Sequence, residues 1–343
     1  MNIKTIITIV LSLLIGSLLN AQCVQDCGSS TRYGNQAGFD NMGTSLSAFG
    51  KQAGYQNFGN RNSMFGEGAG RSNMGGSDNS FYGYQTGHDN TTGDDNSFFG
   101  RSSGFYNTEG GGNSFFGTDS GTRNTEGGNN SFFGRESGYY NSKGGNNSFF
   151  GTASGAINTE GGSNSFFGVD SGRNNVSGSH NVDIGYRAGP ANGTTDIDST
   201  LYIDVMATNE PLIYGQFNKR IVRINGSFEA MGGVSNSSDI DRKEAIIPID
   251  ELGVLEKVAE LELSEWSYKD ASHIRHLGPI AQDFYKAFGL GKNEKTIGTL
   301  DADGVALASI QALYKLWQDE KVRNDRLEQR VDELYEKMEE SSN

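Results

Sequence analysis

The sequence predicts a mostly β repeat solenoid, followed by a small α+β domain and a C-terminal coiled coil. Three observations predict it. A glycine-punctuated motif recurs ten times within residues 22–192, the recurrence stops near Pro190, and the last helix-forming stretch carries heptad-spaced apolar residues from Ile310 to Met338. A period this short belongs to stacked coils, because sixteen or seventeen residues cannot enclose a core of their own.

Ahead of the repeat, "MNIKTIITIVLSLLIGSLLNAQ" supplies a basic Lys4, an apolar run over 6–19 and a small Ala21. It reads as a secretory signal peptide over 1–21, cleaved after Ala21. The run is short for a membrane span, and no later segment has the length and hydropathy to cross a bilayer. Cys23 and Cys27 are the only cysteines. They read as a terminal staple, within one chain or between chains, and are too few for a zinc site. The 343 residues carry a net charge of −14. That balance excludes nucleic acid and an anionic membrane surface as partners, since both call for clustered Lys and Arg.

The repeat occupies 22–192. It aligns on the glycine that closes each aromatic strand, from Gly34, Gly50 and Gly66 through to Gly185. A second glycine follows four residues later, and an asparagine seven residues later, from Asn41 through Asn124 to Asn192. Each copy reads as a short strand such as "NSFFG", a glycine turn, a second extended piece and a "TEGG"-type turn. Successive side chains of a strand point to opposite faces. Pairs such as Phe98-Phe99 and Phe132-Phe133 must therefore place one ring inside the coil and one outside. The outer rings would form an apolar stripe too large to leave in water, which implies self-association.

The glycines fit turns of positive φ or close approach between coils. The asparagines fit side-chain ladders from rung to rung. No Pro interrupts the chain between Cys23 and Gly189, as expected where every coil pairs with the next. Ten rungs imply a rod of roughly 45–50 Å. "GEGAG" over 66–70 lacks the Lys-Ser/Thr of a phosphate loop, and the scattered acids Asp119, Glu126, Glu136 and Glu160 follow no calcium-loop spacing. The pattern resembles the head repeats of trimeric autotransporter adhesins and repeats of tail-fibre-like surface proteins. The period here is longer than the usual adhesin one. The resemblance implies a trimeric parallel β-roll.

Residues 193–236 change grammar. Alternating apolar positions around Ile203, over 212–214 and over 221–224 predict short strands with tight turns, a β neck between rod and C-terminal domain.

The C-terminal domain is placed at 237–320. Leu255, Val258 and Leu261 share a helical face, "LSEWSYK" reads as a strand, and "GPIAQDFYKAFG" leads into a second helix. "DADG" precedes a long third helix with Asp301 or Asp303 as the expected N-cap. A coiled coil over 310–340 overlaps that helix. Ile310, Trp317, Asn324, Val331 and Met338 hold one seam position, and Leu313, Glu320, Leu327 and Leu334 the other, with Asn324 as a register device. His273 and His276 lack a third metal ligand nearby and read as packing residues, as do Trp266 and Trp317. Nothing in the sequence asks for a cofactor or a metal.

This region resembles the endosialidase-type intramolecular chaperone domain of tail-fibre-like proteins. The resemblance rests on Ser238-Asp239 with Lys243 five residues on, "GPIAQDF" over 278–284, and the closing "DADGVALASIQALY" helix. It implies a trimerising module that guides folding of the upstream β-structure and releases itself by cleavage. The bond to be cut is then Ser237–Ser238, with Ser238 as nucleophile, Lys243 as its base and Asp239 as a supporting residue. Where that family often has a basic or amide side chain three residues after the serine, this chain has Asp241, followed by Arg242.

The chemistry is sound for a Ser-Lys pair, because a hydroxyl becomes a nucleophile only when a neighbouring base takes its proton. The enzymatic reading is thus a single-turnover serine autoendopeptidase with no external substrate. The expected protein is a secreted or bacterial cell-surface homotrimeric fibre with a folding chaperone at its end. The alternative is a surface protein whose trimeric foot never cleaves. A glycan or other surface ligand of the rod is not specified by any readable motif, and no paired carboxylates mark a glycosidase.

Overall fold

The computed structural model describes residues 29–191, 197–231, 234–269 and 272–341. The expected signal peptide, Cys23, Cys27 and Asn192 lie outside the described residues. The chain divides into two compact units on either side of Glu229 and Ala230.

In the first unit, ten three-residue strands each occupy one coil: β1 (Thr31–Tyr33), β2 (Ser47–Phe49), β3 (Ser63–Phe65), β4 (Ser80–Tyr82), β5 (Ser97–Phe99), β6 (Ser114–Phe116), β7 (Ser131–Phe133), β8 (Ser148–Phe150), β9 (Ser165–Phe167) and β10 (Val182–Ile184). Neighbours pair in parallel and in sequence order, residue on equivalent residue: Ser114 faces Ser131, Phe115 faces Phe132 and Phe116 faces Phe133. The result is a β-solenoid of about ten turns. Three further strands extend the same sheet: β11 (Thr200–Ile203), β12 (Ile213–Gln216) and β13 (Ile221–Ile224), the last two antiparallel. They coincide with the alternation read for the neck.

The Phe pairs divide as the strand period requires. Phe81, Phe98, Phe115, Phe132, Phe149 and Phe166 are fully buried and stack in one column, with centroids 4.7–5.0 Å apart. Burying each ring contributes roughly 1.5–3 kcal/mol. Their partners Phe99, Phe116, Phe133 and Phe150 stack on the outer face at 4.8 Å. That outer column runs on from Phe49 and Phe65 through Tyr82 to Phe167.

The two glycines of each coil are needed for different reasons. Gly117 has φ +140°, and a Cβ there would lie 2.5 Å from the carbonyl oxygen of Gly134 in the next coil. Gly121 has φ +58°, and its Cβ would sit 2.4 Å from the buried ring of Phe115. The first admits the neighbouring backbone; the second admits the inner ring. Between them the turn needs another left-handed residue, supplied by Ser102, Asp119, Glu136 and Ala153, with φ of 53–58°. Glycine is not essential at that position, because a Cβ added at the equivalent Gly68 would meet nothing nearer than 3.5 Å, so only the modest conformational cost remains.

The asparagine ladder forms as expected. Asn124 donates through Nδ2 to Oδ1 of Asn107 at 2.7 Å and to the carbonyl of Gly127 at 2.6 Å, and Asn141 repeats the pattern onto Asn124. A second ladder, absent from the sequence reading, uses the asparagine that precedes each strand from β3 to β10. The backbone N–H of Asn130 donates to Oδ1 of Asn113 at 2.9 Å, while Nδ2 of Asn130 donates to the carbonyl of Gly144 at 2.9 Å. Both sets are buried. Buried amides are tolerated there because each finds its partners in adjacent coils.

The inner column ends on charge. At the top, Arg32 donates to the carbonyl of Gly38 at 2.7 Å, while its Nε is buried without a partner. At the bottom, Asp183 takes the place of a Phe, is almost wholly buried, and has no partner for Oδ1. Burial pushes the Asp183 carboxyl well above the usual carboxylate range. Beneath it, the phenol of Tyr202 is pushed up to about 12 by burial, then by Tyr214 and Asp183.

The second unit contains β14 (Ser264–Trp266) paired antiparallel with β15 (His276–Gly278), and three helices: α1 (Glu251–Glu260), α2 (Ala281–Phe288) and α3 (Thr299–Ser341). Asp250 caps α1 by accepting from the N–H of Gly253, and Gly289 closes α2 with φ +66°. Helix α3 is 43 residues long and begins at Thr299, two residues ahead of the expected cap. Asp301 lies in its first turn instead, where a carboxylate meets the positive end of the helix dipole. Val305, Ala308 and Ala312 are buried, and Lys315 pairs with Glu251 of α1. Farther along, the seam residues Leu327, Val331 and Leu334 are exposed. No described helix is long and apolar enough to cross a membrane.

Two outcomes follow from the columns. Phe132→Ala is expected to cost about 3–5 kcal/mol, read as a lower denaturant midpoint, while Phe133→Ala lowers the midpoint far less in the isolated chain. Because the folded Asp183 holds its proton more firmly than the unfolded chain does, its stabilising contribution is present below the ordinary carboxylate range. It is lost as pH climbs toward the raised folded value. Asp183→Asn should therefore raise the melting temperature at pH 7 and change it little at pH 4. Equal shifts at both values would contradict the assignment.

Candidate functional site

The segment after residue 233 holds the Ser-Lys pair expected from the sequence. Asp239 adopts an extended conformation and caps a single 3₁₀ turn, Ile240–Arg242, its carboxylate accepting from the N–H of Asp241 at 3.1 Å. The backbone N–H of Lys243 donates to the carbonyl of Ile240 at 3.1 Å and closes the turn. Lys243 then leaves in extended conformation, which folds its side chain back along the turn. Its Nζ donates to Oγ of Ser238 at 2.6 Å.

The sequence-predicted residues are thus brought together: Ser238 and Lys243 in direct contact, Asp239 as the residue that shapes the turn between them. Ser237 and Ser238 are both exposed, as is Lys243. The 2.6 Å path serves proton transfer when its direction reverses, with the hydroxyl donating to a neutral amine. Asp241 sits in the same turn, with its backbone tied to Asp239.

Exposed apolar residues next to the pair in sequence were missed. Ile240, Ile246, Ile247 and Ile249 are all exposed, Ile247 by 77%. The signal was the run "AIIPI" over 245–249, which follows neither a helical nor a strand period. Isoleucines left this exposed are not favoured by water.

The two histidines behave differently from each other. His276 pairs with Trp266 across β14 and β15, and the rings stack at 4.7 Å. His273 is exposed. Among the described residues, no group of three His, Cys, Asp or Glu side chains could hold a metal ion.

Residues 238–289 match a family model, chaperone of endosialidase. No curated protein and no solved structure matches the chain. The match opens on Ser238 and ends on Gly289, so it spans the reactive turn, α1, the β14–β15 hairpin and α2. The C-terminal unit of this chain therefore carries an endosialidase-type chaperone domain, downstream of a β-solenoid whose repeats are consistent with adhesin-like ones.

Proposed function

We propose that this chain is a secreted or surface-exposed homotrimeric fibre of the tail-fibre and adhesin type, and that its C-terminal domain is an intramolecular chaperone. Three copies join through that domain, the joined ends set the β-solenoids in register, and the chaperone is then released by autocatalytic cleavage between Ser237 and Ser238. The observation that carries the reading is the 2.6 Å contact of Lys243 with Ser238 at the first residue of the family match.

Self-association is supported by three apolar surfaces. These are the outer aromatic column, the isoleucines beside the reactive turn, and the open seam of α3 around Leu327, Val331 and Leu334. A sustained heptad seam on a single helix needs partner helices to cover it.

In the cleavage step, Oγ of Ser238 attacks the carbonyl carbon of Ser237 as Lys243 takes the hydroxyl proton. The C–N bond breaks, the proton passes to the freed amine of Ser238, and an ester links the two residues. Water then hydrolyses that ester, leaving a carboxylate on Ser237 and restoring the hydroxyl of Ser238. The reaction needs an unprotonated lysine, which desolvation favours. In the single chain the pair is open to water, so covering by neighbouring copies would switch the step on.

A second reading keeps the trimer without cleavage, and the exposure of the dyad together with Asp241 in its turn favours it. Expression of the mature chain beside Ser238→Ala and Lys243→Met separates the two. Cleavage predicts a 238–343 fragment on a denaturing gel from the parent only, and its absence from all three leaves the permanent foot. The chaperone role is read separately. A chain truncated before residue 230 is expected to give misassembled or aggregated material, and an ordered threefold rod from it would overturn the role.

A further inference from the structure

The repeat is broken at one place on its outer surface. Six residues after each coil-closing glycine, most copies carry a small or polar side chain: Asp40, Gln56, Ser72, Asp89 and, farther down, Asn174. Three successive coils instead carry Tyr106, Arg123 and Tyr140, and the coil after them carries Ile157. Nothing in the inner packing requires this, because the position faces outward and the buried columns continue through these coils unchanged.

The three side chains line an open groove of about 560 Å³, whose floor is a row of hydroxyls from Thr108, Thr125 and Ser142. That volume lies within the range of about 300–1,000 Å³ typical of small-ligand clefts. Both tyrosines are substantially exposed yet held in place. The ring of Phe105 meets Tyr106 edge-on at 4.5 Å, and that of Tyr139 meets Tyr140 at 4.6 Å. Arg123 lies over the ring of Tyr140, 5.1 Å from its centroid. Other solenoid cations, Arg61, Arg101 and Arg173 among them, are paired with carboxylates. Arg123 forms no ion pair among the described residues, in a chain of net charge −14.

The hydroxyl row has a defined polarity. Thr108 donates to the carbonyl of Thr125 at 2.9 Å, Thr125 to that of Ser142 at 3.0 Å, and Ser142 to that of Thr159 at 3.1 Å. Every proton of the row is spent on the next coil, so what remains toward the groove is oxygen lone pairs. A ligand must therefore bring hydrogen-bond donors to the floor, an anionic group to Arg123, and an apolar face to rigid tyrosine rings. Phosphate-rich polymers fail the first requirement and are repelled by the net charge.

We infer that the Tyr106–Arg123–Tyr140 groove is a binding site for a carboxylated sugar within an extended polysaccharide. Sugar hydroxyls supply the donors, the C–H face of the ring lies against a tyrosine, and the carboxylate pairs with the guanidinium in a charge-assisted contact. The three coils stack at the strand spacing, about 4.8 Å, so a sugar ring within a longer chain can lie along the groove. The site lies wholly within the repeat and uses residues other than those proposed for assembly and cleavage.

The test uses the full mature protein on an array of carboxylated oligosaccharides, each printed beside its neutral parent or methyl ester. Binding is expected to the acids and at least tenfold weaker to the neutral forms. Arg123→Gln should erase that preference, and the double variant Tyr106→Ala, Tyr140→Ala should remove binding, with unchanged circular dichroism and native mass. Arg101→Gln serves as a control that keeps binding. Failure of the parent to retain any carboxylated glycan would overturn the inference. So would retention that the groove variants leave intact, or a fall in native mass in the tyrosine variant, which would mark the groove as a contact between copies.

Discussion

Like-on-like pairing in parallel register is the constraint from which the rest of this rod follows. When equivalent residues of successive coils lie about 4.8 Å apart, each position faces only its own kind above and below. A side chain is then acceptable only if it can stack on itself. Flat rings can, primary amides can because they carry both donor and acceptor, and glycine can where two backbones nearly touch. Ionised side chains cannot repeat this way inside, since identical charges at that spacing repel in a medium that screens poorly. The inner positions are accordingly Phe, Asn, Ser and Gly through most of the rod. In the inner column itself, charged residues stand at Arg32 and Asp183, where the run of Phe has ended.

The same constraint creates ambiguity. Shifting one chain against another by a coil replaces Phe with Phe and Asn with Asn over the middle of the rod, so the energy difference between registers is small. Strand pairing is normally fixed by distinctive patterning, which this sequence lacks between β4 and β9. Distinctive positions cluster at the ends: Arg32, Ala48 and Met64 above the Phe column, Asp183 and Tyr202 below. A device that fixes one end therefore fixes the whole. A C-terminal domain that joins chains before the rod forms would act where the sequence first becomes unrepeated, and would spare the slow search that non-local β pairing entails.

Much of the solenoid was legible because the repeat multiplies each local signal by ten. The division of Phe115 from Phe116 into inner and outer columns follows from the strand period alone, and the ladder through Asn124 from its spacing. The ladder through Asn113 and Asn130 repeats from Asn62 to Asn181 but was hidden, because an asparagine beside a serine at a strand start reads as turn chemistry. The left-handed residues at Asp119 and Glu136 carry no compositional mark. At the reactive turn the residue types and the five-residue spacing were legible. The 3₁₀ geometry that brings Lys243 onto Ser238 was not, since one short turn has no periodicity to read.

What varies in such a chain is as informative as what repeats. Inward positions are held by packing from both sides, so a change there is propagated to two neighbours; outward positions meet solvent and are free to differ. The surface positions six residues past each glycine use that freedom, and only Tyr106, Arg123 and Tyr140 use it to place large rings and an unpaired cation side by side. The reactive turn is the opposite case. Its polar pair is correctly spaced but lies in water, and the isoleucines around it are exposed without a covering partner in the chain itself. A neutral amine and a buried apolar surface are both obtained by excluding that water. One event, the meeting of copies at this end, would satisfy both requirements, so that the proposed cleavage would have to follow assembly.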